Sequence, residues 1–226
     1  MNKYRHEIKI SINPFDKEVL SSRLSHVLQR DRHTDEKGYY RVRSLYFDDM
    51  DDRAVQEKLL GVKYREKFRL RTYNNSSSVI RLEKKVKNNT MGYKESAMLT
   101  QEECQDLIAG DYHFLRQKQE AICRQLYIKM RTALFKPKTI IEYKREAYVW
   151  EPGRIRITID SDVRTGISST DFWNFAIPMV NVVENNTAIL EIKYDNYLPS
   201  HISNLLRLDS RQRAAISKYV LGRRFG

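Results

Sequence analysis

The 226-residue chain predicts an α+β fold: an antiparallel closed β-barrel of about eight strands around a basic tunnel, with flanking and C-terminal helices. Three observations point there. Charged and apolar residues alternate with period two in short runs, the mark of strands with one buried face. Turn-prone peptides such as Asn74-Asn75-Ser76-Ser77 separate several of these runs, and so short a connection joins antiparallel neighbours. Helix-capping sequences occur between groups of strands rather than after every strand, which argues against a parallel doubly wound sheet.

Glu7-Ile8-Lys9-Ile10-Ser11-Ile12 is the first alternating run. Asn13-Pro14 starts a helix, because Asn caps well and Pro suits the first helical position; Val19, Leu20, Leu24, Val27 and Leu28 share one face of it. A strand over Tyr40–Phe47 ends at Asp48-Asp49, and a short helix from Asp51 to Leu60 stops at Gly61. Strands over 64–73, 78–87 and 92–99 form hairpins across Asn74–Ser77 and Asn88-Asn89-Thr90. Thr100-Gln101-Glu102-Glu103 is a capping box, and a further helical stretch covers 113–133 after the break at Gly110-Asp111. Strands return at 138–150, 154–160 and 187–195, while 161–186 carries no clear period. The tail, 200–224, reads as one or two helices with Ile202, Leu205, Leu206 and Leu208 in an apolar stripe. No repeat or linker divides the chain, so residues 1–226 read as one domain.

A formal net charge of +12 calls for an anionic partner: nucleic acid, a membrane surface or a phosphate compound. No helix-turn-helix, zinc-finger or RNP-type motif accompanies the charge, which turns the reading away from nucleic acid. Cys104 and Cys123 form no CxxC pair or Cys/His cluster, as expected in a reducing compartment. The N-terminus lacks an apolar signal core and no run of about 18 apolar residues occurs, so the expected location is cytoplasmic. Asp48-Asp49-Met50-Asp51-Asp52 lacks EF-hand spacing and reads as a strand end and helix cap.

The informative feature is where charge falls on the strands. Arg65, Lys67, Arg69 and Arg71 share one face, with Phe68 and Leu70 on the other. Arg81, Glu83, Lys85 and Lys87 share another face, as do Arg5, Glu7 and Lys9, then Arg154, Arg156, Thr158 and Asp160, then Glu191, Lys193 and Asp195. One such strand is an ordinary half-solvated strand. Five of them, dominated by Lys and Arg, are less ordinary, because a solvated sheet usually sets opposite charges across from one another. Turned inward, these faces need water or a polyanion to offset repulsion.

Several short motifs carry a family resemblance over Tyr4–Leu221: Arg5-His6-Glu7-Ile8-Lys9, Ser44-Leu45-Tyr46-Phe47-Asp48, Arg69-Leu70-Arg71, Leu82-Glu83-Lys84-Lys85, Tyr93-Lys94-Glu95, Tyr143-Lys144-Arg145, Arg154-Ile155-Arg156, Leu190-Glu191-Ile192-Lys193 and Ile216-Ser217-Lys218-Tyr219. The chain resembles the VTC-type polyphosphate polymerase domain of the triphosphate tunnel metalloenzyme (CYTH-like) superfamily. The resemblance implies a transferase that passes the γ-phosphate of ATP to inorganic polyphosphate or pyrophosphate. It implies catalytic roles for Arg69, Arg71, Arg145, Arg156 and Glu191, and phosphate contacts from Lys9, Lys85, Lys94, Tyr143, Ser217 and Lys218. Glu191 would hold Mn²⁺ or Mg²⁺. From eukaryotic relatives it also implies a membrane-protein partner able to recruit a cytoplasmic domain. Two departures stand out. Arg5 occupies the place of the first glutamate in the Glu-x-Glu-x-Lys of triphosphate hydrolases, and Ala215 stands where eukaryotic polymerases tend to have a lysine. A metal-dependent tripolyphosphatase or nucleoside triphosphatase, and a non-catalytic polyphosphate-binding module, are the alternatives. Tyr143 as ordinary core, Glu191 as an ion-pair partner of Lys193, and Lys218 as an exposed helical lysine are the plainer readings of those positions.

Overall fold

The computed structural model describes residues 4–89, 91–183, 187–208 and 216–225. Its strands are β1 (His6–Ile12), β2 (Gln29–Arg30), β3 (Tyr40–Asp48), β4 (Tyr64–Tyr73), β5 (Ser76–Asn88), β6 (Met91–Leu99), β7 (Lys136–Trp150), β8 (Ile155–Thr165), β9 (Val180–Asn181) and β10 (Ala188–Tyr194). Its helices are α1 (Pro14–Val27), α2 (Arg53–Leu59), α3 (Gln101–Ala109), α4 (Ala121–Thr132), α5 (Ser200–Leu205) and α6 (Lys218–Gly222). All named strands belong to one antiparallel sheet in the order β1-β10-β8-β7-β3-β4-β5-β6, with β2 and β9 as side branches on β7 and β8.

Local chemistry explains most element ends. Asn13 caps α1 through the Asp16 amide, and Asp16 returns the bond; Thr100 and Glu103 do the same for α3. Asn74 and Asn75 both have positive φ, so β4 and β5 are joined by a tight two-residue turn and β5 starts earlier than the alternation suggests. The expected helix over 113–133 is divided: a 3₁₀ turn at His113–Arg116 precedes α4. β8 runs on to Thr165, five residues past its expected end at 160, and the short strands β2 and β9 had no signal of their own. In α1, Leu20, Leu24 and Leu28 are buried but Val27 is exposed, so the apolar stripe is narrower than the sequence implied.

The sheet curls until its two edges approach, but among the described residues no ladder joins them. β1 and β6 meet at a single isolated bridge, with the Arg5 amide 3.2 Å from the Gly92 carbonyl. A barrel closed by hydrogen bonding is therefore corrected to a curled, open-seamed sheet. The curl buries apolar faces outward under helices. Phe68, Leu70, Leu82 and Ile140 pack under α3 and α4, while Ile157, Ile159, Leu190 and Ile192 pack under α1 and α5. With those faces committed, the alternate residues are turned to the concave side.

Candidate functional site

Strand register sets the concave face in rungs. On β4, β5 and β6 the rungs are Lys67–Lys85–Lys94, Arg69–Glu83–Ser96 and Arg71–Arg81–Met98, each residue directly opposite the next. On β1, β10 and β8 they are Glu7–Lys193–Arg156 and Lys9–Glu191–Thr158, and Asp160 on β8 lies opposite Arg145 on β7. The first group is strongly basic. The second alternates in sign.

Glu83 anchors the basic group. It is 1% exposed and takes Arg69 at 2.7 Å, Arg71 at 3.4 Å and Lys94 at 2.7 Å. Burial alone would raise its pKa, but Arg71, Arg69 and Lys94 outweigh that and hold the carboxyl well below its ordinary range. Arg69 also donates to the Tyr46 hydroxyl at 3.0 Å, and Arg71 donates to Ser44 and Tyr143, both at 3.1 Å. Both guanidinium groups are thereby fixed in orientation.

Asp160 anchors the mixed group. It is fully buried, accepts a bidentate pair from Arg145 at 2.6 and 2.7 Å, and meets Lys218 at 2.5 Å. Its pKa falls to about 2 because Arg145 and then Lys218 overcome the desolvation that would raise it. Arg145 and Lys218 both lie over the Tyr143 ring, at 5.2 and 4.8 Å, so Tyr143 is buried but no bystander. Arg156 is turned to Asp31 at 2.8 Å and the Tyr40 hydroxyl at 2.9 Å.

Glu7 and Glu191 both meet Lys9 and are ringed by lysines. Lys85 is 2.6 Å from Glu7; Lys9 is 3.1 Å from Glu7 and 3.6 Å from Glu191; Lys193 is 3.3 Å from Glu191. The Lys85–Glu7 contact spans the interior, since β5 and β1 are not hydrogen-bonded neighbours. Burial opposes ionisation of Glu191, yet Lys193 and Lys9 hold its carboxyl well below the usual range. Among the described residues no three His, Cys, Asp or Glu side chains form a metal cluster. A pair of carboxylates still suits Mg²⁺ or Mn²⁺, which complete their shells with water and phosphate oxygens.

The C-terminal segment crosses one end of the curled sheet. The Ile216 carbonyl accepts from Lys9 at 3.3 Å, Ser217 from Lys67 at 2.9 Å, and the Tyr219 hydroxyl donates to buried Asp48 at 2.8 Å. Gly222 fits against β7 so closely that a Cβ would stand 2.1 Å from Ile141 Cδ1. Lys218 is thus buried rather than an exposed helical lysine. Ala215 lies outside the described residues.

Lys67 and Lys85 bear the cost of this crowding. Burial and then Lys9 and Lys85 bring Lys67 down to about 7, and burial with Lys9 brings Lys85 to about 7 despite Glu7. Every predicted site residue reaches the concave face or the segment across its end. Arg145, Arg156 and Lys218 arrive already paired with carboxylates. Sequence reasoning placed Glu7, Glu83, Asp160 and Lys193 on the right faces without giving them a part. Their alternation was visible, but the partners that make Glu83 and Asp160 anchors come from other strands. Lys67, on the face of Arg69 and Arg71, touches Ser217; Tyr46 stood within a motif without a role of its own, and Asp31 carried no signal.

Curled antiparallel sheets with a fixed, cation-rich concave face form the class to which this architecture assigns the protein. The chain belongs to the VTC domain family, whose profile matches residues 4–225. No curated protein matches it. Among solved structures it is similar to a putative adenylate cyclase of Bacillus halodurans, at 12% identity and TM-score 0.49, covering 89% of this chain and 86% of that one. It is also similar to the capping-enzyme triphosphatase of Mimivirus, at 12% identity and TM-score 0.43, covering 90% and 89%. A Pyrococcus horikoshii protein is similar at 13% identity and TM-score 0.43, covering 89% and 84%.

Proposed function

We propose that the chain is a metal-dependent ATP:polyphosphate phosphotransferase, a single tunnel domain over residues 1–226 whose concave face holds the phosphate chain. The observation that carries this reading is the basic group on β4, β5 and β6, where lysine stands opposite lysine and arginine opposite arginine with Glu83 as the only carboxylate of its rungs. Like charges directly opposite one another destabilise a sheet, so the arrangement makes physical sense as a site completed by a polyanion. Membership of the VTC family supports it, as does Arg5 in place of a further carboxylate.

Arg69 and Arg71, fixed by Glu83, Tyr46, Ser44 and Tyr143, would grip phosphate oxygens by their remaining N–H groups. Arg145 would work similarly from its anchorage on Asp160, and Arg156 from Asp31. Lys9, Lys85, Lys94 and Lys218 supply point charges, and the Ser217 hydroxyl a hydrogen bond, while Tyr143 orients Arg71. Glu191, with Glu7 beside it, would hold Mn²⁺ or Mg²⁺, which supplies charge neutralisation at the phosphate oxygens. A terminal phosphate oxygen of the growing chain attacks the γ-phosphorus of ATP in line, the bond to the β,γ-bridging oxygen breaks, and ADP leaves. Positioning and charge suffice for such a transfer, with no protein nucleophile.

Incubation with ATP and Mn²⁺, followed by gel staining for long-chain polyphosphate and assay of free phosphate, tests the reading. Long chains that disappear in Glu191→Ala and Arg69→Ala are expected. Free phosphate without chains would make the protein a hydrolase, and binding without turnover a polyphosphate-binding module. No helix among the described residues is long and apolar enough to cross a membrane. A cytoplasmic site of action with a membrane-protein partner belongs to the same proposal and is tested by fractionation and co-purification.

A further inference from the structure

Most cations on the concave face have a carboxylate partner. Among the described residues Arg65, Lys67, Arg81 and Lys87 are the departures; Arg65 has the Val62 carbonyl and Lys67 the Ser217 hydroxyl. Arg81 shares the inward face of β5 with Glu83 and Lys85, both of which touch concave-face residues. Its guanidinium makes no hydrogen bond or ion pair among the described residues, and its Nε is buried without a partner. Directly opposite stands Arg71, another arginine, which offers no acceptor and is itself held by Ser44, Tyr143 and Glu83. On the far side Arg81 faces Met98, which offers no acceptor of comparable strength. A buried donor left unsatisfied beside a like charge is costly within the fold alone.

We infer that Arg81 is a phosphate-binding residue that completes, with Arg71, the end rung of the basic row and makes the site selective for chains longer than a triphosphate. From Lys67 to the Arg71–Arg81 rung is four residues of β4, about 13 Å of strand. That is a longer row than the linked phosphates of one nucleotide fill. A triphosphate seated on Arg69 and the lysines leaves the Arg71–Arg81 rung unfilled, and only a longer polyanion reaches both ends. The inference rests on the proposed polyphosphate site and adds chain-length preference to it.

The test is binding rather than turnover. Calorimetric titration with pyrophosphate, tripolyphosphate and a polyphosphate of defined greater length is run on the unaltered protein, Arg81→Met and Arg81→Lys. In the unaltered protein affinity should rise with chain length. Arg81→Met should lose about tenfold on the long chain while changing the shorter ligands less than twofold. Arg81→Lys should recover part of the loss. The melting temperature of Arg81→Met should hold or rise, since a repulsion is removed; a purely structural arginine would lower it. Equal losses on all three ligands, or none, would overturn the chain-length role while leaving the polyphosphate site standing. Failure of the unaltered protein to bind any of them would remove both.

Discussion

The two sides of the concave face solve the same problem differently. On β1, β10, β8 and β7 nearly every cation is met by a carboxylate: Lys9 and Lys193 by Glu191, Arg145 by Asp160, Arg156 by Asp31. On β4, β5 and β6 one buried carboxylate, Glu83, serves Arg69, Arg71 and Lys94, and Lys67 and Arg81 have none among the described residues. The mixed side is a self-neutralised network, rigid because its donors and acceptors satisfy each other. On the proposed reading the basic side is completed by an external anion. A site that must bind a polyanion and still fold without it needs both, one to fix the geometry and one to leave charge available.

Removing the anchor of each side gives the largest expected effects. Asp160→Asn and Glu83→Gln should each cost about 3–5 kcal/mol by urea unfolding, because buried cations lose their partner. Saturating tripolyphosphate should recover much more of the Glu83→Gln loss than of the Asp160→Asn loss. Equal recovery would break the comparison. Next comes the segment that ties the sides together, through Lys9 on one and Lys67 on the other. Gly222→Ala should cost about 1–3 kcal/mol, since a methyl group must displace Ile141, and should weaken tripolyphosphate binding in the same titrations.

A pH effect should follow from the basic side. Lys67 and Lys85 are lowered from 10.5 to about 7, so the folded state binds fewer protons than the unfolded state between those values. Their destabilising contribution is present in full below pH 7 and fades as pH rises toward 10.5. In Lys67→Met this rise in ligand-free stability, followed by denaturation midpoint, should be reduced. Polyanion binding should instead draw protons onto both lysines, so affinity should fall as pH rises through 7 and proton uptake should appear as buffer-dependent heat. The smallest effect concerns Lys94, whose side chain is 45% exposed. Lys94→Ala should change unfolding free energy by only about 0.2–1 kcal/mol, as for other water-screened pairs.

The β-sheet was legible where two periods agreed. Arg65–Arg71 and Arg81–Lys87 alternate so regularly that their faces could be assigned residue by residue, and Asn13-Pro14 and Thr100–Glu103 announced their helices. Less was legible where a tertiary partner decides. The seam between β1 and β6 depends on how far a curled sheet rotates, and no residue pattern states that sum. Lys218 looks like any helical lysine until Asp160 from β8 meets it. Glu83 and Asp160 looked like single acids diluted among bases, yet each organises cations from other strands.

Sequence alone determined which residues share a face, because side-chain direction in a strand has period two and needs nothing beyond the chain's own order. It also determined the sign of the field, since Lys and Arg dominate those faces. Tertiary structure decided which face is concave, which strands oppose one another and which cations are left unpaired. Those depend on register and curl, set by packing Leu70, Leu82, Ile157 and Ile192 under helices far away in sequence.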